Sequence, residues 1–172
     1  MSKLNLGAGN IIEEGYINHD LVKHRDEIEL CFDLNDEDWS LSIDLWSAMN
    51  NKPTQTDEKV EWSSDFDGFQ EIKAWDVIEH INDPINFMDN CWDLLKTDGV
   101  LHLKACGYQN ESFYIDITHK KGYHIKSFDY FSLDTEIGKE YNYYTSKKWK
   151  FLEGYPRYDR KGNVLVKMSP VK

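Results

Sequence analysis

The chain has 172 residues, 31 acidic against 20 basic, giving a net charge of −11, with 40% hydrophobic and 14% aromatic residues. That length suits one domain with a single sizeable core, and the apolar and aromatic content exceeds what a disordered chain of similar charge carries. The acidic excess repels a polyphosphate instead of releasing its counterions, which disfavours nucleic acid as a partner.

Residues 4–6 read as a short strand halted by Gly7-Ala8-Gly9-Asn10, where two glycines permit backbone angles that other residues resist. Residues 16–20 and 28–33 read as the second and third strands, ending on Asp20 and Asp33. From 36 to 68 the composition turns polar around one predicted helix at 41–49. This insertion holds Trp39, Trp46 and Trp62, which either pin it to the core or belong to a substrate lid. Strand character resumes at 69–75. Asp83-Pro84 then supplies an N-cap with proline at the first helical position, and Met88, Cys91, Trp92 and Leu95 recur at helical spacing. The predicted helix faces the core, ends at Thr97-Asp98-Gly99, and leads into a strand at 100–105, completing a parallel crossover. Residues 107–145, rich in tyrosine, phenylalanine and histidine, have weak periodicity and receive no assignment. At the end, 149–153 and 164–168 flank Arg160-Lys161-Gly162-Asn163 as an antiparallel hairpin. The expected fold is a single α/β domain over 1–172. It is Rossmann-like and doubly wound, a mostly parallel seven-stranded sheet with a C-terminal antiparallel hairpin.

Cys31, Cys91 and Cys106 are odd in number and widely spaced, unlike a disulfide framework or a zinc ligand set. No leader-type segment and no apolar run of membrane-spanning length is visible. A soluble cytoplasmic protein without a membrane partner is expected.

Ligands of open parallel sheets bind outside the carboxyl ends of the strands, near the switch point, and Gly7-Ala8-Gly9-Asn10 lies there. A carboxylate at Asp20 suits the two hydroxyls of a ribose, and Asp33 suits an adenine amino group. A nicotinamide dinucleotide is disfavoured: Ile12 stands at the third glycine position, and Glu13-Glu14 would repel a pyrophosphate. S-adenosylmethionine has no phosphate and carries a positive sulfonium, so it fits better.

In order, Leu4-Asn5-Leu6-Gly7-Ala8-Gly9-Asn10, Gly15-Tyr16-Ile17-Asn18-His19-Asp20, Phe32-Asp33-Leu34, Asp76-Val77-Ile78-Glu79-His80-Ile81 and Leu94-Leu95-Lys96-Thr97-Asp98-Gly99-Val100-Leu101 resemble the small class I methyltransferases with a methyltransferase-11-type domain. The resemblance covers residues 4–106. It implies that Gly7, Ala8, Gly9 and Asn10 lie along the cofactor, that Asp20 holds the ribose, that Asp33 and Leu34 face the adenine, and that Asp76 lies near the methionine amino group. Two departures stand out: Lys3 precedes the glycine turn where an acidic residue is usual, and the usual first helix is cut to a few residues.

An oxygen acceptor needs a base, for which His80 and His119 are the candidates, with His124 close in sequence to the latter. His19, His24 and His102 read as structural or exposed. The acceptor is expected to be a small polar molecule bound between the 36–68 insertion and the 107–145 segment, nearest residues 116–131. No metal is assigned. Two alternatives remain: a cofactor-binding module without catalysis, and a metal-assisted O-methyltransferase acting on a biopolymer end. For the second, Asp76-Val77-Ile78-Glu79-His80 is similar to the metal motif of small-RNA 3′-end 2′-O-methyltransferases, with His119 or His124 as the later ligand.

Overall fold

A computed structural model describes residues 2–40, 42–43 and 67–172. β1 (Lys3–Leu6) pairs in parallel with β2 (Ile17–Asp20) on one side and β4 (Phe69–Trp75) on the other. β3 (Ile28–Cys31) extends the sheet beyond β2, and β5 (Leu95–Ala105) beyond β4. β6 (Lys148–Phe151) and the two-residue β7 (Arg157–Tyr158) run antiparallel to β8 (Val164–Val171), which itself runs antiparallel to β5. The order β3-β2-β1-β4-β5-β8-β6 reverses its winding between β1 and β4. Their carboxyl ends therefore flank the crevice where such sheets take ligands.

The expected α/β sheet, mostly parallel with an antiparallel C-terminal edge, is what the chain forms, with eight strands among the described residues in place of seven. The extra strand arises because the turn at Arg160-Lys161 joins β8 to β7, not to β6. Asp159 closes that turn: Oδ1 accepts from the Lys161 and Asn163 N–H groups, and Oδ2 from Asn163 Nδ2.

One face of the sheet is apolar. Leu4, Leu6, Ile72, Ala74, Leu101, Leu103 and Val166 are buried in one cluster with Phe87, Met88 and Cys91 of the helix Pro84–Leu94. The helix starts where the sequence indicates, since Asp83 accepts from the Ile85 and Asn86 N–H groups and Pro84 needs no donor. It stops earlier than expected. Leu95 turns extended and pairs with Phe69, so β5 begins there and 96–99 form an irregularity before Val100 meets Glu71. Trp39 is buried against Phe87 and Phe32, and Asn90 Oδ1 accepts from its N–H, so this end of the insertion is pinned to the core. Trp46, Trp62 and most of the predicted 41–49 helix lie outside the described residues.

The other face is polar. Parallel sheets are ordinarily covered by helices on both sides, but the connections at 7–16 and 21–27 contain turns and no helix. Alternation accordingly places Lys3, Glu71, Lys73, His102, Lys104 and Lys167 on this side. Ion pairs run across it: Lys3 and Glu71 at 3.1 Å, His102 and Glu71 at 3.5 Å, and Lys73 with Glu13 of the first connection. The three cysteines are free, and no described helix is long and apolar enough to cross a membrane.

Candidate active site

β1 is followed by Gly7 at φ +60°, a conformation costly for residues with a side chain, and a Cβ there would lie 2.5 Å from Val77 Cγ2. The turn is fastened to β2. Ala8 N–H donates to the His19 carbonyl at 2.8 Å, Gly9 N–H to Asp20 Oδ2 at 2.7 Å, and Gly7 N–H to His19 Nδ1 at 3.3 Å. Since Nδ1 accepts, Nε2 carries the proton and donates to the Phe32 carbonyl at 3.0 Å, tying the turn to the end of β3. Burial pushes the His19 pKa down to about 4, so the ring is neutral.

Gly7, Gly9, Asp20, Asp33, Leu34 and Asp76 line one cavity of about 290 Å³, together with His19, Val77 and His80. Among the described residues its lining holds three carboxylates and no lysine or arginine. Asp20 accepts from the Gly9 and Leu21 N–H groups, one on each oxygen, so each oxygen keeps a second lone pair. Asp33 Oδ1 accepts from the Asn35 backbone and side chain, which holds that carboxyl below the usual range.

Asp76, at the end of β4, is the one non-glycine residue at positive φ among the described residues, at +56°, and Lys104 Nζ lies 2.5 Å from its Oδ2. It lines both this cavity and a larger one of about 870 Å³. Glu79, Lys104, Asn110, Asp116, His119, Arg160 and Lys161 contribute to the larger lining. Glu79 is wholly buried; Oε1 accepts from the Cys106 N–H at 3.0 Å, while Oε2 has no partner among the described residues. Desolvation, aided by the Asp76 charge, raises its pKa to about 7.

The segment after β5 reaches this place through backbone bonds. Lys120 N–H donates to the Glu79 carbonyl at 2.7 Å, and Lys120 Nζ to Asn82 Oδ1 at 2.6 Å. This lays the His119 ring 4.7 Å from that of His80, edge to face. Thr118 Oγ1 donates to Asp116 Oδ1 at 2.6 Å and stands 2.9 Å from His80 Nδ1.

The structure thus brings together Gly7, Gly9, Asp20, Asp33, Leu34, Asp76 and His80 around one cavity, and sets His119 beside His80. It does not bring in Ala8, which is buried beneath the turn, or Asn10, whose Oδ1 accepts from Arg25 on the exposed side. His124 lies apart from His119 in role: it caps the 3₁₀ helix Ile125–Phe131 through Lys126 N–H. Of the metal set that the motif suggests, His80 and His119 stand together, while the Glu79 carboxylate is held by the Cys106 N–H and His124 is engaged in its cap. Of the 36–68 insertion, Glu37, Asp38 and Ser40 line a different cavity, beside Asn86 and Asp93; 41 and 44–66 lie outside the described residues. Sequence reasoning missed Lys104, Asp116 and the Arg160-Lys161 turn as walls of the larger cavity. The one available signal was the turn chemistry of Asp159 to Asn163, which by itself says nothing of a cavity.

No protein-family model matches the chain, and no curated protein matches it in sequence. Solved structures share its fold. A Haloferax volcanii chain solved in complex with the Trm112 methyltransferase activator superposes with TM-score 0.55 at 11% identity, covering 98% of this chain and 81% of that one. A methyltransferase described as dependent on S-adenosylmethionine, from Archaeoglobus fulgidus, gives 0.53 at 13% identity over 98% and 85%. The CurJ carbon methyltransferase gives 0.55 at 13% identity, this chain spanning 49% of its length. The fold is that of the class I methyltransferases.

Proposed function

We propose that the chain is an S-adenosylmethionine-dependent methyltransferase, with the donor in the smaller cavity and the acceptor in the larger. One observation carries this reading: the two cavities adjoin at Asp76, so a donor methyl group in one can face a nucleophile in the other. The chemistry of the smaller cavity supports the donor. Its carboxylates at Asp20, Asp33 and Asp76 accept hydrogen bonds from hydroxyls and amines and favour a cation, and among the described residues no lysine or arginine lines it for a pyrophosphate.

The bound donor supplies a methyl group already activated by its sulfonium, so positioning contributes most of the rate. In this reading Asp20 holds the ribose hydroxyls, Asp33 and Leu34 hold the adenine, and Asp76 holds the amino group. His119 lines the acceptor cavity and His80 the donor cavity, so the pair borders the place where an acceptor hydroxyl meets the donor. The larger cavity mixes Lys104, Arg160 and Lys161 with Asp116 and Glu111, which suits a polar acceptor bearing an anionic group.

Calorimetric titration with S-adenosylhomocysteine and with NAD tests the donor site, followed by labelled-methyl turnover against a panel of hydroxyl, amine and carboxylate acceptors. Binding of S-adenosylhomocysteine alone is expected. Preference for NAD overturns the reading, and cofactor binding without transfer to any acceptor favours a non-catalytic module.

A further inference from the structure

Two imidazoles and a carboxylate meet where the cavities adjoin: His80, Asp116 and His119 each bring one ligating atom to within 4.8 Å of the others. The hydrogen bonds around them prepare the ring nitrogens. The single hydroxyl proton of Thr118 goes to the carboxylate, with Oγ1 donating to Asp116 Oδ1 at 2.6 Å, where Thr118 N–H also donates at 2.9 Å. Toward His80 the hydroxyl is then an acceptor, so Nδ1 holds the ring proton and Nε2 keeps its lone pair. A hydrogen bond of this kind at the remote nitrogen is what orients metal-bound histidines.

His119 supplies an independent observation. Its side chain is only 8% exposed, yet Nδ1 has no partner among the described residues, and Nε2 lies 3.8 Å from Asp116 Oδ2, beyond hydrogen-bond reach. A buried imidazole with neither nitrogen bonded calls for a ligand. The 3.8 Å spacing is slightly wider than the roughly 3–3.5 Å between two donors that share one ion at bond lengths of about 2.1 Å.

We propose that His80, Asp116 and His119 form a binding site for one divalent transition-metal ion, with coordination positions open toward the larger cavity. Two imidazoles with one carboxylate suit zinc, manganese, cobalt or iron(II), whereas calcium and magnesium take oxygen ligands. Glu79 is no part of the set, because the Cys106 N–H holds its carboxylate in the interior. Resting on the methyl-transfer reading, the ion stands where it would hold and polarise an acceptor oxygen, a hydroxyl or a phosphate, against the donor cavity.

The full chain, stripped with chelator and titrated with Co²⁺ alone, tests the site by calorimetry and by the visible absorption of the ion. One ion per chain is expected, displaced by Zn²⁺. His80→Gln and His119→Asn should each weaken binding by about tenfold or more, and Thr118→Val, at an exposed position, by about 10–100-fold through loss of ring orientation. S-adenosylhomocysteine binding, measured on the same metal-free samples, reports the fold and the donor site separately. Absence of stoichiometric Co²⁺ binding in chain that still binds S-adenosylhomocysteine overturns the metal site, as does Co²⁺ affinity unchanged by both His80→Gln and Thr118→Val. Loss of S-adenosylhomocysteine binding with intact Co²⁺ binding overturns the donor reading and leaves the metal site standing.

Discussion

Glu79 and His19 are buried ionisable groups whose titrations pull stability in opposite directions, and Glu79→Gln separates them. The Glu79 carboxyl ionises near 4.5 when unfolded and at about 7 in the fold, because burial disfavours its charged form. Between those values the folded chain holds a proton that the unfolded chain has released, so stability is fully present below 4.5 and falls as pH rises through 7. The 2.5-unit difference amounts to about 3 kcal/mol. His19 has the reverse sense, with 6.5 unfolded and about 4 folded: its contribution is present above 6.5 and lost as pH falls through 4. Over most of the interval between 4.5 and 6.5 the two slopes cancel, and the wild-type curve should be nearly flat there. Glu79→Gln leaves only the His19 slope. Its stability relative to wild type should therefore improve by roughly 2–3 kcal/mol between about pH 5 and pH 8, whatever constant penalty the amide incurs beside the Cys106 N–H. Urea denaturation of both proteins at these two pH values gives the difference. Parallel curves would show that Glu79 does not titrate as a buried carboxyl, and the argument for its raised pKa would fail.

Gly7→Ala should cost about 1–3 kcal/mol, from the positive φ and from a Cβ set 2.5 Å from Val77 Cγ2. Adding Val77→Ala should relieve the steric part only, so a double variant as stable as its Val77→Ala parent in thermal denaturation would contradict the backbone argument. Asp20→Ala should weaken S-adenosylhomocysteine binding by about 1–3 kcal/mol, since the ribose hydroxyls lose a charged acceptor and the Gly9 N–H loses its partner; an unchanged affinity by calorimetry in a folded variant would leave Asp20 with a purely structural role.

The parts of the molecule legible in the sequence are those fixed by neighbours a few residues apart. The glycine turn, the aspartates closing β2 and following β3, and the Asp83-Pro84 start are each local: the Asp83 carboxylate reaches N–H groups two and three residues on. Helix termination was misread because Leu95 satisfies the helical repeat and the strand equally, and only pairing with Phe69, distant in sequence, decides between them. Residues 107–145 gave no period because their elements are too short to show one: Ser112–Ile115, Ile125–Phe131 and Glu136–Glu140. His80 and His119 were legible as candidates, but their meeting with Asp116 rests on bonds distant in sequence, from Lys120 to Glu79 and Asn82 and from Thr118 to His80, which no spacing rule spans.

The polar second face of the sheet bears on the same site. In doubly wound folds the helix after the first strand points its N-terminal N–H groups at the ligand and adds positive potential there. Residues 7–16 form only turns here, so that source is missing, and the Gly9 N–H is given to Asp20. A positive charge borders the site at Lys104, held by Asp76 at the boundary of the two cavities, with Lys73 stacked 3.7 Å from the Trp75 ring one residue before. A backbone at φ +56° stores about 1–3 kcal/mol at Asp76. Strain at the residue common to both cavities is what a fold tolerates where a side chain must be aimed, and here its direction is set by Lys104 in place of a helix end. On the proposed reading, the amino-acid end of the donor meets this ion pair, so the balance of charge between Asp76 and Lys104 takes the part that a first helix plays elsewhere.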